Sequence, residues 1–462
     1  MSKEKNIRQA LKDYKDNPEF LIDIIVKQAE QIDQLLKQVE ELKKELEVER
    51  RKNKRQAAPF GLPEEKRKQV KKTPGRKKGH QGSYRQPSGP IEDQQEVELP
   101  GKCPHCGSDD IDPVDSYQQI IEELPELKPR VVELTLHRGC CRSCGEEVHS
   151  THPLQTSRAQ GAAKVQLGPR AIATALQLQH RFGLTKGKAT QMFNELFDLP
   201  ITKGGLINLN YRVADSWKNA YQALIAQAQL AERLNVDETS WYVSNRWQLW
   251  VLANEQLTLY HLSPSRKREV LENLLGKDFQ GVLTSDCLNI YDDFCEVQQK
   301  CYAHHLKEIS LQLASHPQDN NPYLLRVKEL LEKAMKLAKD KDQMPEEEFI
   351  QTRKQLEQQA DELFTDQARD DPIEQKINNR IFKQRKHLFT FLYHDGIDPT
   401  NNLAERQLRP AVIHRKLSCG NRTEKGAQAW QVNASMVQTL TQRGIDLNQS
   451  IKHALKFRFQ GR

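Results

Sequence analysis

Leu234-Asn-Val-Asp-Glu-Thr-Ser-Trp-Tyr-Val243 is the stretch whose reading decides the fold. It reads as a buried strand with a carboxylate, Asp237, at its middle. A charge there is costly unless something pairs with it, and a metal ion is one such partner. Neighbouring strand residues point to opposite faces, so Asp237 and Glu238 do not aim at one site, and Asp237 is the candidate. A second apolar run, Gly281-Val-Leu-Thr-Ser-Asp286, ends in another carboxylate. Asn401-Asn-Leu-Ala-Glu405-Arg-Gln-Leu-Arg409-Pro reads as a helix start bearing a third. Carboxylates on strand, strand and helix can jointly hold two divalent metals for phosphoryl transfer.

Outward from Asp237, the runs Leu234–Val243, Trp247–Ala253 and Leu257–Leu262 are separated by short polar turns and predict an antiparallel meander. A helix over Arg268–Leu275 and a strand over Val282–Thr284 follow, with Asp286 just past the strand. Hairpin strands, a helix and a returning strand begin a ribonuclease-H-like α/β fold. In such sheets a carboxylate beyond a strand end lies where ligands bind. Cys301-Tyr-Ala-His304 opens the next helix. Its spacing fits a metal ligand pair, and equally a packed cysteine with a hydrogen-bonded histidine.

Residues 320–392 are highly charged helices, Tyr323–Leu337, Glu346–Phe364 and Ile373–Leu392, and read as an insertion into the fold. Beyond them, Glu405 has a competing structural reading. Asn402 to Glu405 has capping-box spacing, and Glu405 and Arg409 stand one turn apart as an ion pair would. The cations Arg406, Arg409, Arg415 and Lys416 suit a phosphate backbone beside a metal site. A turn over Gly420–Gly426 leads to a closing helix, Ala427–Arg443.

Upstream, residues 168–233 read as helices. Ala171–His180 is amphipathic, Thr185 caps a helix reaching Phe197, and another helix starts near Gly205. Helix, turn, helix is compatible with a DNA-reading motif, and also with plain helical packing. Before them stand Cys103-Pro-His-Cys106-Gly and Cys141-Arg-Ser-Cys144-Gly. Two intervening residues let both sulfurs of a pair reach one ion, and the following Gly relieves the turn. The alternating apolar residues between Tyr117 and His137 predict a hairpin. Together these make a zinc-ribbon pattern with Cys103, Cys106, Cys141 and Cys144 as ligands of one structural Zn²⁺.

From Arg51 to about Gly89 the chain is rich in Lys, Arg, Pro and Gly and cannot bury a core. Arg76, Lys77 and Lys78 are its candidate phosphate contacts, against the alternative of a solvated linker. Ile25, Gln28, Ile32, Leu35, Val39, Leu42 and Leu46 alternate steps of three and four, a narrow stripe that predicts a self-associating coiled coil, against the alternative of an amphipathic helix packed on its own protein. Such a helix spans roughly 45 Å at ~1.5 Å per residue.

Across the chain's 462 residues the formal charge is +7 and the charged fraction 29%. The basic excess sits in one segment, so it favours a nucleic-acid partner only weakly. No apolar run is long enough for a membrane span. The N-terminal residues lack a signal-peptide core, and the nine cysteines include two C-x-x-C pairs, so a cytoplasmic protein using cysteine for metal is expected. The resulting division is 1–52 coiled coil, 53–98 basic arm, 99–150 zinc module and 160–233 helical segment. The catalytic core then runs through 234–319, is interrupted by a helical insertion at 320–392, and resumes over 393–462.

These residues carry a family likeness. The chain resembles the large transposases of the insertion sequence 66 (IS-66) family over nearly its full length, in order. Gly168-Pro-Arg170 with His180-Arg-Phe-Gly-Leu184 resembles a family segment, with one residue fewer before the Gly, and Pro74-Gly-Arg-Lys-Lys-Gly-His80 and the four knuckle cysteines match family segments. So do Asp237-Glu-Thr239, Asp286-Cys-Leu-Asn-Ile-Tyr291, Cys301-Tyr-Ala-His304 and, most specifically, Asn401 to Pro410. The sequence departs from the family at His305-Leu306-Lys307, where a basic cluster is usual, and at Leu417-Ser-Cys419, where an aromatic is usual. The resemblance implies a catalytic triad of Asp237, Asp286 and Glu405, of the Asp-Asp-Glu class on a ribonuclease-H-like fold. It also implies two Mg²⁺ (or Mn²⁺) ions, and cleavage and strand transfer at the terminal repeats of a bacterial element. The implied partners are the element ends, target DNA, further copies of the chain and small accessory proteins, in a nucleoid-associated setting. A ribonuclease-H-like nuclease or resolvase would keep the carboxylates without strand transfer. A DNA-binding regulator would use the zinc module and arm alone.

Overall fold

The structure is a computed structural model that describes residues 26–27, 30–36, 38–41, 85–159, 164–315 and 321–460. The chain divides into two compact units, Met1–Glu123 and Leu124–Arg462.

In the first unit the described residues between 26 and 41 are helical and exposed. Ile32, Leu35 and Val39 of the heptad stripe are 58%, 59% and 45% exposed among the described residues. Ile25, Gln28, Leu42 and Leu46 lie outside the described residues, as do Arg76, Lys77 and Lys78 of the basic arm. Farther on, the Glu122 carboxylate accepts from the Ser88 backbone N–H at 2.7 Å and pairs with Arg85.

In the second unit two short strands, β1 (Arg138–Cys140) and β2 (Glu147–His149), pair antiparallel around the second cysteine knuckle. This corrects the expected hairpin over Tyr117–His137. Its residues up to His137 form no strand, and Tyr117, Ile121 and Val131 are 82%, 82% and 90% exposed. An alternating pattern becomes a strand only when a partner backbone and a buried face exist, and among the described residues neither does.

Helices α1 (Pro169–Leu176), α2 (Lys186–Leu196), α3 (Lys203–Ser216) and α4 (Lys218–Gln229) follow, with a π-helical turn, Gln177–Arg181, continuing α1. The Thr185 and Thr202 side chains accept from the N–H groups of Lys188 and Gly205, satisfying helix-start donors as threonine caps do. The mixed sheet is built from β3 (Arg233–Val243), β4 (Asn245–Ala253), β5 (Thr258–Ser263), β6 (Val282–Ser285) and β7 (Gln298–Lys300), in the order β5-β4-β3-β6-β7. The first three strands form the expected antiparallel meander, whereas β6 and β7 add in parallel on the far side of β3. Helix α5 (Glu269–Leu275) makes the crossover from β5 to β6.

After β7 come α6 (Tyr302–Ser315), α7 (Pro322–Asp340), α8 (Glu346–Leu363) and α9 (Pro372–Lys383). These helices bury a cluster of their own around Leu331, Leu356, Ile377 and Phe389. The chain then returns with α10 (Asn402–Ser418), α11 (Glu424–Gln442) and α12 (Leu447–Gln460). Helix α12 extends the fold beyond the closing helix expected from the sequence.

The faces of the sheet have different cover. Leu234 and Val236 of β3 belong to a cluster shared with Ile172, Phe193, Leu206 and Tyr221 of α1–α4 and with Ile451 of α12. The helical segment 160–233 therefore shares its core with the sheet, where a separate domain was expected. Trp241 and Val243 of β3 pack on the other face against Ala404, Leu408 and Ala411 of α10 and Trp430 of α11. Trp430 lies 4.5 Å from Trp241 and 5.6 Å from Tyr260, centroid to centroid. Because this ring fills the space between α10, α11 and the sheet, Trp430→Ala should destabilise the protein by about 3–5 kcal/mol, read by denaturant unfolding. A loss below ~1 kcal/mol would mean the cavity collapses without cost.

Candidate active site

Asp237 feels the charges of Asp286 and Glu405, although the three carboxylates are not among the described groups whose ligand atoms all lie within 4.8 Å of one another. Strands β3 and β6 are parallel neighbours, with Arg233 opposite Val282 and Asn235 opposite Thr284. Continuing that register sets Asp237 across from Asp286, about one strand spacing (~4.8 Å) away. Asp286 follows the last residue of β6, and its Oδ1 accepts from the Leu288 N–H at 3.0 Å.

Glu405 reaches the same region because α10 is tied to β3 near both ends. At the start, Asn401 is fully buried, and its Nδ2 donates to the Val236 carbonyl at 2.7 Å. Its Oδ1 accepts from the Asn235 side chain at 3.0 Å, and its backbone N–H donates to Cys301 Sγ at 3.1 Å. At the far end Cys419 and Gly420 turn the chain through positive φ. A Cβ on Gly420 would stand 2.4 Å from the Tyr242 carbonyl oxygen, so only glycine permits the approach. Asn421 then donates its N–H to that carbonyl at 2.8 Å and accepts from Trp241 Nε1 at 2.9 Å.

These ties decide the local role of Glu405. The capping position is Asn401, whose side chain is spent on β3 and makes no cap bond. Glu405 is therefore the fourth helical residue, one position past the place a capping box requires. The Glu405 N–H donates to the Asn401 carbonyl at 3.1 Å, while its carboxylate has no hydrogen bond or ion pair among the described residues, Arg409 included. Its carboxylate is exposed beside Cys301 and His304.

Asp237 carries the electrostatic signature. Its carboxyl is pushed up to about 8, first by burial, then by the charges of Glu238 and Asp286, with a smaller contribution from Glu405. The one opposing influence is the Glu238 N–H, which donates to Asp237 Oδ1 at 2.8 Å. Glu238, on the other face, is handled differently. Arg266 Nε and Nη2 donate to it at 3.0 and 2.5 Å, and the Tyr291 hydroxyl donates to its second oxygen. Sequence reasoning missed this link, although the spacing of Tyr291 after Asp286 was a signal for it. Glu238 is compensated inside the protein and Asp237 is not. A carboxylate left without a cation partner is of the type that hard divalent cations take as ligand.

The basic residues fall into distinct settings. Arg415 lends Nη1 to Thr239 Oγ1 at 3.1 Å and to Ser240 Oγ at 3.0 Å, which makes it a tie between α10 and β3. Lys416 is exposed. Arg409 lines a groove with Arg181, Phe182, Gly183, Arg406, Pro410 and Ile413. His305, in the place of the family's basic cluster, is buried 3.3 Å from Cys287 Sγ, and burial pushes it down to about 3.

The cysteine pairs are built alike. The N–H of Gly107 donates to the Cys103 carbonyl at 2.8 Å, that of Gly145 to the Cys141 carbonyl at 2.9 Å, and both glycines have positive φ. Backbone N–H groups of His105 and Cys106 lower the Cys103 thiol, and those of Cys144 and Ser143 lower Cys141. Donors aimed at sulfur favour the thiolate that metal binding needs.

A model of the family described as "Transposase IS66 family" matches residues 164–429, more than half of the chain. The chain belongs to that family. The match takes in β3 to β7, the helices between β7 and α10, and Glu405, and it stops short of the cysteine knuckles. Comparison with curated proteins gave no match. Membership brings a transposase role, DNA as partner and a divalent metal as the general cofactor of the family. Among the described residues no helix is long and apolar enough to cross a membrane.

The raised carboxyl sets a pH dependence. Asp237 titrates near 8 when folded against an ordinary value of 3.8, so its contribution is fully present below the ordinary value and is lost as pH rises through about 8. In chelator-treated protein, wild type should lose stability relative to Asp237→Asn as pH rises across that window. Denaturant unfolding at a series of pH values reads the difference, and a pH-independent gap would remove charge crowding as its cause.

Proposed function

We propose that this family member is a transposase of the Asp-Asp-Glu class, acting on DNA through Asp237, Asp286 and Glu405. What supports the reading is that Asp286, at the end of β6, and Glu405, in the first turns of α10, both raise the Asp237 carboxyl of β3 through their charges. The sheet order supports it, because an antiparallel meander with two parallel strands added beside β3 is the arrangement of ribonuclease-H-like enzymes. On this reading the helices between β7 and α10 are an insertion into that core. Two Mg²⁺ or Mn²⁺ ions, when bound by the three carboxylates, would supply the positive charge that offsets the phosphoryl group's developing negative charge.

The chain's own residues do the rest. Asp237, uncompensated within the fold, gives up its proton when a cation is held. Arg266 and Tyr291 keep Glu238 out of the site and hold it to the opposite face. Arg406 and Arg409, exposed on α10 just beyond Glu405, are placed to meet DNA phosphates. The reaction in this reading is hydrolysis at an element end, followed by attack of the freed 3′-hydroxyl on target DNA. The heptad stripe pairs two copies of the chain, and the arm with Arg76, Lys77 and Lys78 adds sequence-independent DNA contact.

Glu405→Gln separates the roles open to that residue. As a cation ligand, its loss should reduce metal-dependent cleavage of end DNA by at least ~100-fold, with gel-shift binding and melting temperature nearly unchanged. Full cleavage by this variant would remove Glu405 from the triad.

The knuckles built by Cys103, Cys106, Cys141 and Cys144 are proposed to hold one structural Zn²⁺ through thiolates. Purified full-length protein should contain zinc that the double change Cys103→Ala with Cys141→Ala removes. Unchanged zinc on metal analysis would rule those ligands out.

A further inference from the structure

Cys301, His304 and Glu405 offer ligand atoms that all lie within 4.8 Å of one another, and they form the one such group of metal-binding side chains found among the described residues. Two elements create it. Cys301 ends the link from β7 and immediately precedes α6, while His304 lies on the first turn of that helix. Glu405 comes from α10. The tie between the elements is the Asn401 N–H, which donates to Cys301 Sγ at 3.1 Å and fixes the sulfur beside the start of α10. His304 adds an independent observation. Its Nδ1 is buried and has no hydrogen-bond partner among the described residues. A buried ring nitrogen left unpaired costs free energy that a bound ion would recover.

We propose that Cys301, His304 and Glu405 form a binding site for a borderline divalent cation of the Zn²⁺ type, with Glu405 shared between this site and the carboxylate set. The donors decide the class of ion. Thiolate and imidazole select zinc-like metals, and Mg²⁺ prefers the all-oxygen set on the other side of Glu405. The spacing fits. In a tetrahedral zinc shell, donor atoms sit about 3.3–3.8 Å apart, given Zn–S near 2.3 Å and Zn–N or Zn–O near 2.1 Å. The Glu405 carboxylate is exposed and holds no other described side-chain partner, so closing to this spacing breaks none of its bonds. Three protein ligands leave one coordination position open, as in zinc sites that exchange water or substrate oxygen. Zinc in this place would draw Glu405 away from Asp237 and Asp286. That consequence rests on the proposed function, whereas the site itself does not.

The test counts zinc and leaves cleavage aside, so its outcome is independent of the catalytic reading. Full-length protein, wild type and the variants Cys301→Ser, His304→Ala and Glu405→Gln, is dialysed against buffered free Zn²⁺ and analysed for bound metal. Each variant should lack one equivalent that wild type holds, or bind it at least about tenfold more weakly, the loss that even an outer-shell change brings. Zinc at the knuckles should be retained in all three. His304 and Glu405 are partly or fully exposed, so these two variants decide the matter if Cys301→Ser fails to fold. Equal zinc content and affinity in His304→Ala, Glu405→Gln and wild type would overturn the site.

Discussion

Helix α10 is held to strand β3 by two buried asparagines, and the geometry of the candidate site depends on that attachment. Asn401 joins the start of the helix to the middle of β3 through the Val236 carbonyl and Asn235. Asn421 joins the segment just past the helix to the end of the same strand through Tyr242 and Trp241. Between them Arg415 reaches Thr239 and Ser240. A helix fixed at two points cannot slide along the strand or rotate about its axis. Glu405, one turn beyond Asn401, is thereby fixed with its carboxylate near Cys301 and His304 and within electrostatic reach of Asp237. Asparagine suits the role because one side chain can donate to a carbonyl and accept from a neighbour at once, and a buried position rewards full satisfaction.

The same strand separates two kinds of carboxylate. Glu238 faces the core shared with α1–α5, and there the protein supplies a guanidinium and a phenol. Asp237 faces α10, and there the protein adds further carboxylates. Alternation along a strand makes such opposite treatment of adjacent residues possible. It also explains why a single buried strand can contribute both to stability and to a charged site without the two roles interfering.

The helices between β7 and α10 bury their own core, so their attachment to the sheet is mostly polar. The Thr390 hydroxyl meets the Gln298 carbonyl at 2.5 Å, and the Phe391 N–H meets the Gln299 side chain at 3.0 Å. Lys300, 1% exposed, pairs with Asp292 at 3.2 Å, and Asp292 in turn receives Lys383 and Gln384 of the helical segment. A buried ion pair is weak evidence of added stability, but directional bonds of this kind fix orientation. Edge strand β7 is covered by them, and its short length leaves little backbone for another chain to pair with.

The sequence by itself determined the local elements and the types of chemistry. Alternation of apolar residues located β3, β4 and β5, and the threonine at 185 marked a helix start, because these signals involve residues close in the chain. Choosing Asp237 over Glu238 needed only strand geometry. The cysteine knuckles were legible because a C-x-x-C-Gly turn is closed by its own backbone. Only the tertiary structure decided the rest, since it turns on partners distant in sequence. The run from Tyr117 to His137 has a strand's pattern but no partner backbone. The helices of 168–233 bear the marks of an independent motif, yet their apolar faces are completed by the sheet. Whether Glu405 caps its helix was undecidable from spacing. The answer lay in Asn401, whose side chain is drawn off to a strand some 165 residues away and moves the start of the helix by one position.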